Sequence, residues 1–181
     1  MNRRDQILDT AAGLFAKHGF HGVSIADLGA ACGITGPALY KHFRGKQAIL
    51  SAMLVGISEE LLTEGRRRVR AAKDDKTALD SLVDWHVSFA LEHEALIVVQ
   101  DRDWSALPVE AREKVRETQR KYVEVWVKVL RGVRPDLRPK TARAMVHATF
   151  GLINSTPHSA LVPPEEMHGL LSGMALAALT R

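Results

Sequence analysis

Apolar positions recur at helical spacing along nearly the whole chain. Ile7, Leu8, Ala11, Leu14 and Phe15 mark a first helix over 4–18, closed by Gly19. From Lys46 a longer helix carries Leu50, Leu54, Ile57 and Leu61 on one inward stripe, then runs out through Gly65 into Arg66-Arg67-Arg68-Val69-Arg70. That basic run reads as a solvated helix face. Asp74-Asp75-Lys76 marks a break, and Thr77 opens a helix with Leu82, Trp85 and Phe89 on one face. A short element over 95–100 and a polar connection, Asp101-Arg102-Asp103, lead to a long helix opened by Pro108. Val123, Val125, Val127 and Val129 alternate there with the period of a strand. The strong helix formers before them and the stripe Tyr122, Trp126, Val129 decide for helix, with burial nearly all round. Gly132, Pro135 and Pro139 end it.

Two helices remain, 141–155 and 164–179. The first shows Thr141, Met145, Ala148, Leu152 and Ser155 on one face. The second shows Met167, Leu170, Leu171, Met174 and Ala178, with Gly169, Ser172, Gly173 and Ala175 among them. Faces of small and apolar residues suit close helix-on-helix packing. No strand, repeat or low-complexity segment emerges from the pattern. The prediction is an all-α fold of about nine helices.

The most informative stretch is 23–50. Ser24 is a good N-cap, and Asp27 three residues on has the spacing of a capping box. Gly33 supplies the residue past the helix end, where a left-handed backbone costs least. Thr35 is the next N-cap, with Pro37 in the first turn. Leu39 and Phe43 face inward, whereas Tyr40, Lys41, His42 and Arg44 are polar or basic. Helix, glycine turn and second helix with a basic outer face make a helix-turn-helix.

Phe15, Gly19, Ser24, Ile25, Leu28, Gly33, Ile34, Leu39-Tyr40, His42-Phe43, Lys46 and Leu50 together resemble the N-terminal DNA-binding domain of the TetR family of repressors. The chain departs from that pattern in Leu28-Gly29, where an apolar residue followed by Ala is common, and in a reading helix that begins Thr-Gly-Pro-Ala without long polar side chains. The resemblance implies residues 1–45 as the DNA-binding domain and 46–181 as a helical ligand-binding and dimerisation domain, with 46–72 as the connecting helix.

Composition narrows the class only slightly. In 181 residues, 46% hydrophobic and 25% charged content is that of a folded chain, not a disordered one. No apolar run is long enough to span a bilayer, and no apolar signal segment follows Met1, so a cytoplasmic protein is expected. A net charge of +4 permits an acidic partner such as DNA. Cys32 has no second cysteine to pair with and reads as a small buried hydrophobe. The eight histidines fall at no spacing that completes a metal set, and no nucleophile elbow, phosphate loop or carboxylate pair is present. Neither cofactor, metal nor catalysis is expected.

Base edges in the major groove are reached from the N-terminal, outward positions of a reading helix: here Thr35, Gly36, Pro37, Ala38, Tyr40 and Lys41. Lys41 can donate to guanine, and Pro37 and Ala38 can touch thymine methyls. Ser24, Tyr40, His42 and Lys46 match family positions that hold phosphates; the plainer alternative is that Tyr40 and His42 only pack and cap. In the C-terminal part the resemblance implies a small-molecule pocket. Its candidate walls are Trp85, Phe89, Trp104, Tyr122, Trp126, Met145 and Phe150, with His86, Gln100 and His147 as polar anchors. The same residues could instead simply fill the core. The expected protein is a homodimer, paired through helices 141–155 and 164–179, that leaves a palindromic double-stranded operator when a largely apolar effector binds. An effector-independent DNA-binding protein and a lipid carrier with an incidental helix-turn-helix are the alternatives.

Overall fold

The computed structural model describes residues 2–181, and no strand occurs among them. Ten α-helices follow one another: α1 (Arg3–His18), α2 (Ile25–Ala31), α3 (Gly36–Tyr40), α4 (Lys46–Ala71), α5 (Asp75–Glu92), α6 (Glu94–Asp103), α7 (Val109–Val133), α8 (Pro139–Ile153), α9 (Thr156–Ser159) and α10 (Pro164–Thr180). A 3-10 turn, Trp104–Ala106, lies between α6 and α7. Contacts divide the chain into two units: residues up to Ile57 with Ala95–Arg116, and Ser58–Glu94 with Glu117–Arg181.

In the first unit, local chemistry sets the helix ends. Asn2 and Asp5 form a capping box on α1, and Gly19 closes it with its N–H on the Phe15 carbonyl at 2.8 Å. Ser24 and Asp27 form a second box on α2. The Thr35 hydroxyl accepts the Ala38 N–H at 3.3 Å, with Pro37 in the first turn of α3. Between α2 and α3, Gly33 turns the chain at φ 66°, a conformation that costs a side-chain-bearing residue free energy. A Cβ on Gly29 would meet the Ile34 carbonyl oxygen at 2.8 Å, so this departure from the family pattern goes with a turn drawn close against α2. Ile7, Phe15, Leu28, Leu39, Ile49, Leu50, Leu54, Val99 and Val115 form the core of this unit.

α4 runs unbroken through Gly65 to Ala71, and its basic run, expected as a solvated face, is partly tied down at its sides. Arg67 and Arg68 both donate to Glu64, at 2.6 and 2.9 Å, and Arg68 also pairs with Asp84 of α5 at 3.0 Å. Hydrogen bonding from Arg67 and Arg68 brings the Glu64 carboxyl down to about 2. The expected connection 101–103 is instead the last turn of α6. Arg102 donates to the Ala16 carbonyl (3.0 Å), an acceptor left over at the end of α1, and adds a second bond to the Phe15 carbonyl that already takes the Gly19 N–H, while pairing with buried Asp103 at 3.2 Å. The short helix α9 was not legible in the sequence. It brings Thr156 inside, where its hydroxyl donates to the Ala90 carbonyl at 3.0 Å.

The second unit packs α10 against α5 and α8. Leu79, Leu82, Val83, Val87, Trp126, Leu130, Val146, Ile153, Leu171, Ala175 and Leu179 are buried in it. The alternating valines are helical, with Val123, Val127 and Val129 buried and Val125 half-buried. Gly65 is where α4 meets α7: a Cβ there would lie 2.6 Å from the Tyr122 ring.

Candidate DNA interface and effector site

α3 presents Thr35, Pro37 and Tyr40 outward, Tyr40 at 54% exposure, with Gly36 and Ala38 half-buried and Leu39 fully inside. The helix stops at Tyr40, so exposed Lys41 and His42 stand on the turn that follows. Arg4 holds that turn: it donates to the His42 carbonyl at 2.9 Å and lies over the Phe43 ring at 4.1 Å. Two residues expected at phosphates already have inward work. The Ser24 hydroxyl and N–H both donate to the Asp27 carboxylate, at 2.6 and 2.8 Å, and those bonds hold the carboxyl below its usual value. The Lys46 ammonium donates to the Phe20 carbonyl at 2.7 Å and sits over that ring at 4.5 Å. An ammonium has three donors, so Lys46 retains capacity for a phosphate. Phe20, His21, Arg44 and Lys46 line a shallow cleft of about 510 Å³ beside it, and exposed Arg44 makes no ion pair among the described residues.

In the second unit six of the ten expected effector residues come together. Buried His86 of α5 packs in a triangle with two rings nearly parallel to its own, Phe150 at 4.4 Å and Tyr122 at 5.7 Å, which lie 5.5 Å from each other, and has Trp126 edge-on at 5.9 Å and Phe89 at 6.3 Å. Trp85 joins through Phe89 at 6.2 Å, and the Arg68 guanidinium lies over its indole at 5.4 Å. The imidazole is tied at both nitrogens. Nε2–H donates to Asn154 Oδ1 (3.1 Å), which leaves Nδ1 to accept the Tyr122 hydroxyl (3.3 Å). Burial pushes His86 down to about 4, against the pull of Asn154, so the ring is neutral at pH 7. Burial likewise holds the Tyr122 phenol well above its usual value.

One group in this cluster is unsatisfied. The Trp126 indole N–H is buried and has no hydrogen-bond partner; it is near enough the Tyr122 hydroxyl to bias its titration, but not in bonding geometry. The Trp85 N–H is in the same condition. An indole nitrogen can only donate, and each buried orphan donor costs about 1–3 kcal/mol.

The other four expected residues stand elsewhere. Gln100 and Trp104 belong to the first unit, where Arg116 lies over the Trp104 ring at 5.5 Å. Met145 is half-buried on α8, and its carbonyl accepts the Thr149 hydroxyl at 2.9 Å. His147 is exposed on the outer face of α8, beside Ala144, Ala148 and Gly151, so it does not anchor anything inside. The residue the sequence reading missed is Asn154, whose only local signal is its position one turn after Phe150 at a helix end.

A serine, a histidine and an aspartate also meet nearby, but not as a catalytic relay. Ser88 Oγ (3.2 Å) and Asp84 Oδ1 (3.4 Å) approach the same nitrogen, Nε2 of His168. A relay requires the carboxylate on the opposite nitrogen. Among the described residues no cluster of three or more His, Cys, Asp or Glu is arranged to hold a metal.

Residues 7–53 match the model of the bacterial regulatory proteins of the tetR family, and residues 70–158 match the tetracyclin repressor-like C-terminal domain. The chain belongs to the TetR family. It is similar to the HTH-type transcriptional repressor KstR2 of Mycolicibacterium smegmatis, 32% identical over 75% of this chain and 70% of that one. It also resembles KstR2 of Rhodococcus jostii, 30% identical over 71% of this chain, a match spanning 63% of that relative's length. A TetR-family regulator from Bordetella parapertussis superposes with a TM-score of 0.85 at 28% identity, over 97% of this chain and 94% of the other. Two more distant structures share the fold. The ketosteroid transcriptional regulator KstR2 of Mycobacterium tuberculosis has a TM-score of 0.81 at 21% identity, over 99% and 96% of the two chains. FadR of Bacillus subtilis in complex with stearoyl-CoA has a TM-score of 0.77 at 19%, over 97% of each.

Proposed function

We propose that this TetR-family chain is a ligand-responsive transcriptional repressor, released from a palindromic operator when a small, largely apolar effector binds its C-terminal unit. The observation that carries this reading is the buried aromatic cage around His86 with an unsatisfied Trp126 donor, in a chain that also presents a helix-turn-helix outward. Residues 1–45 would face DNA, α4 would lead on from them, and 46–181 would hold effector and partner. Thr35, Pro37, Tyr40 and Lys41 would enter the major groove, with Ser24, His42 and Lys46 on phosphates. Exposed Ala144, Ala148 and Gly151 on α8 and Leu170, Gly173 and Met174 on α10 supply an outer face for a second copy.

A neighbour described as a ketosteroid regulator and another holding stearoyl-CoA favour an acyl-CoA or flat polycyclic effector, chemistry that rings stacked about 4–6 Å apart could accept if they part. The effector acts by binding the subunit arrangement that cannot span two half-sites more tightly than the one that can. No helix among the described residues is long and apolar enough to cross a membrane, which fits work on cytoplasmic DNA. The test is an operator gel shift titrated with stearoyl-CoA, stearate and a ketosteroid. Release by one of them supports the reading. Operator binding insensitive to every apolar compound in a wide panel would make this an effector-independent DNA-binding protein.

A further inference from the structure

Outside the aromatic cage, with which it shares only α7, lies a cleft of about 410 Å³ lined by Arg66 of α4 and by Glu117, Arg120, Lys121, Glu124, Val125 and Lys128 of α7. Its carboxylates are already engaged: Glu117 takes Lys121 at 2.6 Å, and Glu124 takes Arg143 of α8 at 2.6 Å. Arg66, Arg120 and Lys128 are left exposed, with no ion pair among the described residues. Three uncompensated cations around one concavity repel each other when it is empty and attract a polyanion entering it.

The position of this cleft gives it meaning. Arg66 follows Gly65, the residue against which Tyr122 packs so closely that a Cβ would lie 2.6 Å from the ring. Val125 at the cleft stands beside Trp126, whose side chain turns into the cage. The crossing of α4 and α7 therefore has cations on its outside and stacked rings with an orphan N–H on its inside. A ligand filling both would be amphipathic: an apolar body among the rings, an acceptor such as a carbonyl opposite Trp126, and a multiply charged anionic head among the three cations.

We infer that Arg66, Arg120 and Lys128 form the docking site for the phosphate-bearing head of such an effector. Guanidinium forks suit phosphate oxygens, and Lys128 adds a point charge. The inference rests on the regulatory reading above, which supplies the apolar half of the ligand.

Free coenzyme A, which carries a pyrophosphate and a further phosphate but no apolar body, is the probe for the head alone. Its binding to the intact protein is measured by calorimetry at low and high salt. Wild type, the triple variant Arg66→Gln/Arg120→Gln/Lys128→Gln, and a control with equal charge loss, Arg70→Gln/Lys73→Gln/Lys140→Gln, are compared. The expected result is salt-sensitive binding that falls by about tenfold for each cleft cation removed and little in the control. Palmitate, which lacks phosphates, should bind wild type and triple variant alike. Because the three side chains make no ion pair among the described residues and repel one another, the triple variant should melt no lower than wild type. Equal coenzyme A affinity in wild type and triple variant overturns the site while leaving the regulatory reading intact. No coenzyme A binding to wild type also overturns it, and operator release by stearate or a ketosteroid then decides the regulatory reading separately.

Discussion

His86 is buried, titratable and hydrogen-bonded at both ring nitrogens, so the second unit senses its protonation. Its pKa of about 4 lies below the ordinary histidine value near 6.5. Between those values the unfolded chain binds a proton that the folded chain refuses, so stability falls as pH drops from about 6.5 towards 4. The loss reaches roughly 3 kcal/mol at the lower end. Urea midpoints measured at pH 7 and pH 5 should show this fall, and His86→Phe should flatten it. Trp126 calls for a different experiment. Trp126→Ala empties a fully buried site and should cost about 3–5 kcal/mol, which would blur any functional reading. Trp126→Phe keeps a six-membered aromatic ring and leaves a smaller cavity than alanine, while removing the orphan N–H with the rest of the five-membered ring. It should bind operator as wild type does, yet respond about tenfold less to a carbonyl-bearing effector in the gel shift. Unchanged response would assign Trp126 to the core alone.

At the scale of elements, the helix-turn-helix and the α4–α7 crossing make separate predictions. Lys41 is free on the turn after α3, whereas Lys46 braces the Phe20 carbonyl. Lys41→Ala should relax preference at one operator base pair by about tenfold or more. Lys46→Ala should weaken binding to all sequences, lower the salt slope by about one, and also reduce the stability of the first unit. A binding panel over operator variants, with melting curves, separates the two; identical profiles would refute the division. Gly65→Ala places a methyl against the Tyr122 ring and beside the Leu82 side chain, and should cost about 1–3 kcal/mol by overpacking. Circular dichroism melting of Gly65→Ala beside Gly56→Ala, where a Cβ meets open space, is the comparison that checks it.

The whole molecule is predicted to be a homodimer, and the structure corrects which residues test it. Leu171, read from sequence as a residue of the last helix's apolar face, is 2% exposed and packs inside its own chain, so a charge there would unfold the unit. Met174, at 46% exposure, and Ala148 lie outward. Met174→Arg or Ala148→Glu should leave the fold intact, yield monomers in sedimentation at micromolar concentration, and weaken operator binding in parallel. A variant that stays dimeric and binds operator normally would place the partner face elsewhere.

Much of this is legible in the sequence, for a physical reason. Helix starts and stops are decided by groups three or four residues apart: Ser24 with Asp27, Thr35 with Ala38, Gly19 with Phe15. The helix-turn-helix is little more than a chain of such local bonds, so the sequence by itself determined it, along with the all-α class and the helical fate of the alternating valines. Aromatic content pointed to the cage, but not to its membership. His86 finds Tyr122 and Asn154 at 36 and 68 positions along the chain, and only packing brings them into register. The outward turn of His147, the place of Trp104 and Gln100 in the first unit, and the anchoring of Arg102 on α1 depend on how each helix rotates against its neighbours. That rotation is a property of many weak contacts summed over a face, and no single spacing records it. Glu64 and Glu117 take partners three or four places on in their own helices, which the spacing already names, whereas only the tertiary structure decided that Glu124 takes Arg143, 19 positions away, and that Arg68 reaches Asp84.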